Sequence, residues 1–407
     1  MMEYKKIKGG VCAAKGFKAA GIHCGIRKNK EKKDLSLIYS EKECSAAAVY
    51  TQNKVYGAPI TVTREHLKNG RAKAVICNSG NANTCNADGV EKANLMAKFT
   101  AKALGIDEND VIVASTGVIG QTLDVTPIEK GMGELTAALS RKGSLDAANG
   151  IMTTDTAVKE VAYSFELGGK TVSLGAIAKG SGMIHPNMAT MLCFMTTDAA
   201  ISPKMLQRAL SETVNDTFNM ISIDGDSSTN DTVAILASGE GENAEIKKAD
   251  KDFEIFKGAL KLVSVEISKG IAKDGEGATK LLECNVKGAK NEANAKLIAK
   301  SVIASSLVKC AMFGADANWG RVLCAMGYSG AAFDAEKVDV SLASVKGEIA
   351  VCKGSKGVEF SEKLAKQILL KDEIEINITL HDGKAEATSW GCDLTYEYVK
   401  INGDYRT

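Results

Sequence analysis

Val161-Ala-Tyr-Ser-Phe-Glu166 and Thr171-Val-Ser-Leu-Gly-Ala176 flank Leu167-Gly168-Gly169-Lys170, and this stretch decides the fold class. Both flanks read as strands, and the paired glycines between them supply the backbone of a tight turn, so a β-hairpin is predicted. Further strand-like runs lie at 74–77, 111–114, 191–195, 233–237, 338–342 and 375–380. Helical signals alternate with them. Thr126-Pro127-Ile128-Glu129 has the order of a capping box with proline at the first helical position. Ser202-Pro203 opens a second helix, with Met205, Leu206, Ala209, Leu210 and Val214 on one face. Asp252 is placed to cap a third that carries Phe253, Phe256, Leu260, Val263 and Ile267, and 291–313 and 361–371 also read as helical. Strands and helices interleave, yet hairpins are frequent. The pattern favours an α+β fold with largely antiparallel sheets over a doubly wound parallel sheet.

The chain has 407 residues, more than one ordinary domain, and 45% of them are apolar. It holds only 4 prolines and no long polar linker, so the domain boundary must be tight. That boundary is placed near residue 285, giving a larger domain over 1–285 and a smaller one over 286–407. Lys+Arg 51 against Asp+Glu 50 leaves a net charge of +1, which argues against a nucleic-acid partner. The basic block at 27–34 reads as a solvated loop. No apolar run approaches the roughly 18 residues of a membrane span, and the opening MMEYKKIKGG lacks the apolar stretch of a signal peptide. A soluble, cytoplasmic protein is expected. The 11 cysteines show no C-x-x-C spacing and are read as reduced thiols. His23, His66, His185 and His381 are scattered, so no metal site is expected.

Several glycine clusters imitate known sites. Gly168-Gly-Lys-Thr171 ends like a phosphate-binding loop, but Ser164 stands where the upstream glycine is required. Gly239-x-Gly241 is followed by no helix start. Asp224-Gly-Asp-Ser-Ser-Thr229 begins like a calcium loop, yet Thr229 holds its sixth position and Ile235 its twelfth.

Residues 179–192, Lys-Gly-Ser-Gly-Met-Ile-His-Pro-Asn-Met-Ala-Thr-Met-Leu, run from a glycine-rich loop into an apolar strand that begins at Thr190. This is the layout of an N-terminal threonine nucleophile. Attack of the Thr190 hydroxyl on the Ala189 carbonyl, an N-to-O shift and hydrolysis would free Thr190 with an α-amine beside its hydroxyl. Such an amine has an unperturbed pKa of about 7.7–8.0 and serves as a general base without a histidine. Spacing alone leaves an ordinary loop before a strand as the alternative.

Distinctive blocks run nearly end to end. They are Asn78-Ser-Gly-Asn-Ala-Asn83, Ser115-Thr-Gly-Val-Ile-Gly120, Met152-Thr-Thr-Asp-Thr156 and 179–192. Asp224-Gly-Asp-Ser-Ser-Thr-Asn-Asp231, Asp274-Gly-Glu-Gly-Ala-Thr279, Asn318-Trp-Gly-Arg321 and Trp390-Gly-Cys-Asp-Leu-Thr-Tyr396 follow, with Asn402 and Thr407 at the end. On these blocks the chain resembles the ArgJ family of arginine biosynthesis, the ornithine acetyltransferases or glutamate N-acetyltransferases. Ala317 stands where the family pattern has proline.

The resemblance implies an αββα sandwich with a smaller C-terminal α+β domain, self-cleavage between Ala189 and Thr190, and a heterotetramer of two copies of each fragment. It implies ping-pong transfer of acetyl from N-acetylornithine to glutamate through Thr190, with no cofactor; many members also take acetyl-CoA as donor. Thr116 and Gly117 become the oxyanion hole, and Thr153, Lys179, Thr190, Glu276, Asn402 and Thr407 hold substrate. Lys179 suits a substrate carboxylate and Glu276 a substrate ammonium. Thr154 and Thr156 are alternatives to Thr153, and His185 is read as a loop residue rather than a base. The rival reading is an N-terminal-nucleophile aminopeptidase or amidase, in which water takes the acyl group.

Overall fold

In the computed structural model, which describes residues 3–185 and 191–404, the hairpin joins strands Lys159–Leu167 and Lys170–Lys179. Leu167 pairs with Lys170, and Gly168 and Gly169 both take positive φ, 57° and 78°, the backbone of a two-residue hairpin turn. The chain divides into two compact units. The first takes Met1–Gly180, Asn187–Asn215 and Ser227–Ile267, and the second takes Ser181–Pro186, Asp216–Asp226 and Ser268–Thr407. The division therefore falls near residue 267 rather than 285, because strand Leu281–Ala289 lies inside the second unit's sheet.

Nine strands of the first unit form one sheet that strand Leu35–Tyr50 folds into two layers. Its first part pairs with Phe17–Ile22 on one side and with Arg71–Asn81 on the other, and Val111–Val118 continues that layer. Its last part, Ser45 to Tyr50, pairs with Thr232–Ala237, and Leu192–Thr197, the hairpin and Lys5–Ile7 extend the other layer. Side chains alternate between strand faces, and here both faces are apolar. Ile38, Val75, Cys77, Ile112 and Ala114 of one layer share a core with Ile177, Leu192, Phe194, Ala234 and Leu236 of the other. Leu35, Leu37, Ala74, Ile76, Val111 and Val113 point outward into a second core with helices Gly89–Leu104 and Thr126–Ala137. Helix Lys251–Lys273 lies against the far layer, where Tyr4 bonds the Ile255 carbonyl and Tyr163 bonds Glu266. This is the αββα sandwich. Its pairings are largely antiparallel, but Arg71–Asn81 with Val111–Val118 and Leu192–Thr197 with Thr232–Ala237 are parallel.

The second unit carries a seven-stranded mixed sheet in which Leu281–Ala289 lies between Glu373–Thr379 and Ala385–Cys392. Helix Glu292–Ala304 buries Ile298, Ala299, Val302 and Ile303, and the Ser389 hydroxyl of the sheet bonds its Ala299 carbonyl. The helix expected over 291–313 is two, because Ser305 interrupts it and caps Ser306–Phe313 by accepting from Val308 N–H. Two other caps differ from expectation. Asp124 accepts from Thr126 N–H in place of the capping box, and Asp250, not Asp252, accepts from Phe253 N–H. Among the described residues no helix is long and apolar enough to cross a membrane.

Candidate active site

In the first unit, the ends of the parallel strands Arg71–Asn81 and Val111–Val118 converge at Gly80 and Gly117, which pair in register. Gly117 has φ of 132°, and a Cβ there would lie 2.3 Å from the Gly80 carbonyl carbon, so only glycine fits. Asn230 ties this corner together. Its amide donates to the Ala82 carbonyl at 2.6 Å and the Ser115 carbonyl at 3.0 Å, and its Oδ1 accepts from Thr84 at 2.6 Å. Thr116 is half-buried, and its hydroxyl bonds to none of the described residues. A fixed backbone with an unspent donor is what an oxyanion site requires.

A buried carboxylate organises the next part. Asp155 Oδ1 accepts from Lys159 Nζ and from Gly180 N–H, each at 2.7 Å, and Oδ2 accepts from Thr153 N–H at 3.0 Å. Lys179 Nζ stands 3.9 Å from Oδ2, beyond hydrogen-bond reach. Burial alone would push the Asp155 carboxyl up, but Lys179, Lys159 and the Gly180 N–H hold it well below the usual carboxylate range. The structure thus brings Thr153 and Lys179 to one anchor. Thr154 and Thr156 flank it and have partners of their own.

Asp231 is the second buried carboxyl here. Its carbonyl accepts from Thr51 N–H, and the next residue's N–H donates to the Met191 carbonyl, both at 3.0 Å, so it borders the start of strand Leu192–Thr197. Burial pushes this carboxyl well up, against the pull of Lys179, and Oδ2 has no hydrogen-bond partner among the described residues.

The second unit holds the remaining expected contacts. Glu276 is buried, its N–H donates to the Ser181 carbonyl at 2.7 Å, and its Oε2 accepts from the Asn402 amide at 2.8 Å. Asn402 lies on helix Tyr396–Gly403, which is tied back by the Thr395 hydroxyl on the Gly277 carbonyl and by Asp393 on the N–H groups of Thr279 and Lys280. Asn402 is thereby held beside Glu276. Asp224 shapes the glycine-rich loop by accepting from Met183 N–H at 2.5 Å and Ile184 N–H at 2.8 Å, and from the Tyr398 hydroxyl at 3.3 Å. His185 contacts the Ser222 hydroxyl at 3.0 Å, and burial, then Lys300, pushes its pKa down to about 4. Ala189, Thr190 and Thr407 lie outside the described residues.

Asp155, Lys159, Asp231, Asp224 and Tyr398 drew no role from sequence reasoning. Three of them sat in plain view inside quoted blocks: Asp155 in 152–156, and Asp224 and Asp231 at the two ends of 224–231. Gly180 for Asp155, and Met183, Ile184 and Tyr398 for Asp224, are partners from outside those blocks.

A folded two-layer sheet with outer helices defines the class of the first unit as an α+β sandwich, here with a glycine-built corner and buried charged groups. The ArgJ family model matches residues 18–407. An arginine biosynthesis bifunctional protein ArgJ of Caldanaerobacter subterraneus subsp. tengcongensis is 51% identical over 394 residues, 97% of each chain. The protein of the same name from Bacillus subtilis is 48% identical over 404 residues, 99% of this chain and 98% of its own. A crystal structure of the ArgJ protein from Bacillus halodurans, 47% identical, covers 53% of this chain and 99% of its own with a TM-score of 0.51. The chain belongs to the ArgJ family and is an acyltransferase.

Proposed function

We propose that the chain cuts itself between Ala189 and Thr190 and then moves acetyl from N-acetylornithine to glutamate through Thr190. The Thr190 oxygen attacks the acetyl carbonyl carbon while its proton passes to the freed α-amine. Negative charge grows on the carbonyl oxygen, and the Thr116 hydroxyl and Gly117 N–H face it. Collapse breaks the C–N bond, ornithine leaves with the proton, and the acetyl group remains as an ester on Thr190. The α-amine of glutamate then attacks that ester and restores the threonine hydroxyl. Lys179 complements a carboxylate, which both substrates carry; Glu276 complements the side-chain ammonium of N-acetylornithine. Asn402, Thr153 and Thr407 complete the set of substrate contacts.

The observation that carries this reading is Lys179, an ammonium on a residue only 8% exposed that hydrogen-bonds to none of the described residues. A buried cation left without such a bond calls for an anionic ligand. Cleavage draws support from the Bacillus halodurans chain, which answers to 53% of this one over nearly its full length. Residues 190–407 are 218 of the 407, a similar share. Fragments 1–189 and 190–407 stay together, two copies of each. The relatives are called bifunctional, which supports acetyl-CoA as a second donor.

Denaturing mass spectrometry should return the two fragments from the parent and one intact, inactive chain from Thr190→Ala. Ornithine release should need glutamate, and double-reciprocal plots should be parallel. Glutamate-independent release would instead make the protein a hydrolase.

A further inference from the structure

We infer that Lys159 is a positioning residue for the carboxylate site: by occupying Asp155 Oδ1 it leaves the Lys179 ammonium free for a ligand. This rests on the proposed role of Lys179. Both lysines stand at the open end of the hairpin, where Lys159 pairs with Ala178, the neighbour of Lys179. Asp155 lies four residues before Lys159, and its side chain is fully covered. Lys159 Nζ and Gly180 N–H fill Oδ1 at 2.7 Å each, and Thr153 N–H holds Oδ2 at 3.0 Å, so the carboxylate is fixed on both oxygens.

The geometry separates two roles. A pair made only of Asp155 and Lys179 would close to hydrogen-bond contact, about 2.7–2.9 Å, and the cation would be spent internally. The observed gap is 3.9 Å. Asp155 already has a contact cation in Lys159, so Lys179 stays apart. With Oδ1 filled by Lys159 and Gly180, the Lys179 ammonium stands 3.9 Å from Oδ2 and hydrogen-bonds to none of the described residues, and a substrate carboxylate supplies that bond. Lys179 also acts on Asp231 and Cys77, and burial favours the neutral form of both.

The test uses the full-length protein with Lys159→Met, Lys159→Gln and Lys159→Arg, each checked for folding by thermal melt. In a crystal structure of Lys159→Met, Lys179 Nζ should close on Asp155 to less than about 3.2 Å. The kcat/KM for N-acetylornithine should fall roughly tenfold or more, the scale of one weakened charge-assisted hydrogen bond. At saturation kcat should stay within about threefold. Should Lys159→Met fail to fold, Lys159→Gln keeps a polar end on a slightly shorter side chain without the charge and carries the same expectations. Lys159→Arg restores the cation and should recover most of the lost kcat/KM. An unmoved Lys179 in the uncharged variants, or an equal loss in Lys159→Arg, would overturn the inference. If the parent itself transfers no acetyl group, the substrate reading falls, while the Lys179–Asp155 distance in the variants still decides what Lys159 does.

Discussion

Replacing Asp155 by asparagine removes one negative charge from the point where two buried ammoniums and two backbone N–H groups meet. An amide keeps one acceptor oxygen. Its NH2 group must then face either the Thr153 N–H, or the Lys159 and Gly180 donors that lie at 2.7 Å. Removing one partner of a buried ion pair costs about 3–5 kcal/mol, because the remaining charge is stranded. On the order of 4 kcal/mol in a unit of this size lowers the melting temperature by roughly 10 °C. The pH dependence has a defined sign. Lys179 and Lys159 depress the folded-state carboxyl against the effect of burial. Its contribution is therefore complete above the unfolded value of about 3.9 and is lost as pH falls through the lower folded value. Urea unfolding of parent and variant at pH 7.5, 5 and 3.5 measures this. The gap should be full at the first two and should narrow at the third. A gap under about 1 kcal/mol at pH 7.5, too small for a broken buried pair, or one that widens on acidification, would refute the reasoning.

Thr116→Ala should lower kcat by about 10²–10³ with little change in N-acetylornithine affinity, and fully cleaved variant with parental kcat would remove Thr116 from the mechanism. Asp231→Asn should be more stable than the parent at pH 8. Burial raises the folded carboxyl pKa, so its stabilising contribution holds below about 3.9 and is lost as pH rises through the folded value. Urea midpoints should converge near pH 4, and a parent that is the more stable at pH 8 would contradict this. His185, pushed down to about 4 by burial and then by Lys300, contributes stability above the unfolded value of about 6.5 that is lost as pH falls through 4. His185→Gln should flatten that acid limb in a denaturation series, and an unchanged slope would count against it.

How much was legible varied with the range of the cause. The hairpin at Gly168-Gly169 was readable because a two-residue turn with positive φ is a local demand on the backbone. The 291–313 helix was read as continuous because its apolar period runs through Ser305, and only the capping bond to Val308 shows the break. Strand Leu35–Tyr50 drew no prediction. Its Ser45-Ala-Ala-Ala48 segment has weak strand propensity, and pairing with Thr232–Ala237 supplies the strand. At the site, the family's blocks pointed to Thr116, Gly117, Lys179, Glu276 and Asn402, and the described structure ties Asn402 to Glu276.

From sequence alone came the α+β class, the hairpin, most of the helices and the family resemblance. Those follow from local backbone preference and from the order of side chains along the chain. Tertiary structure decided what the buried charges do. Asp155 meets Gly180 across 25 residues of chain, and Tyr398 meets Asp224 across 174. Which lysine is spent on Asp155, and that Asp231 is driven toward its neutral form, depend on burial and on partners within a few ångströms. Both are properties of the folded neighbourhood that no stretch of sequence contains.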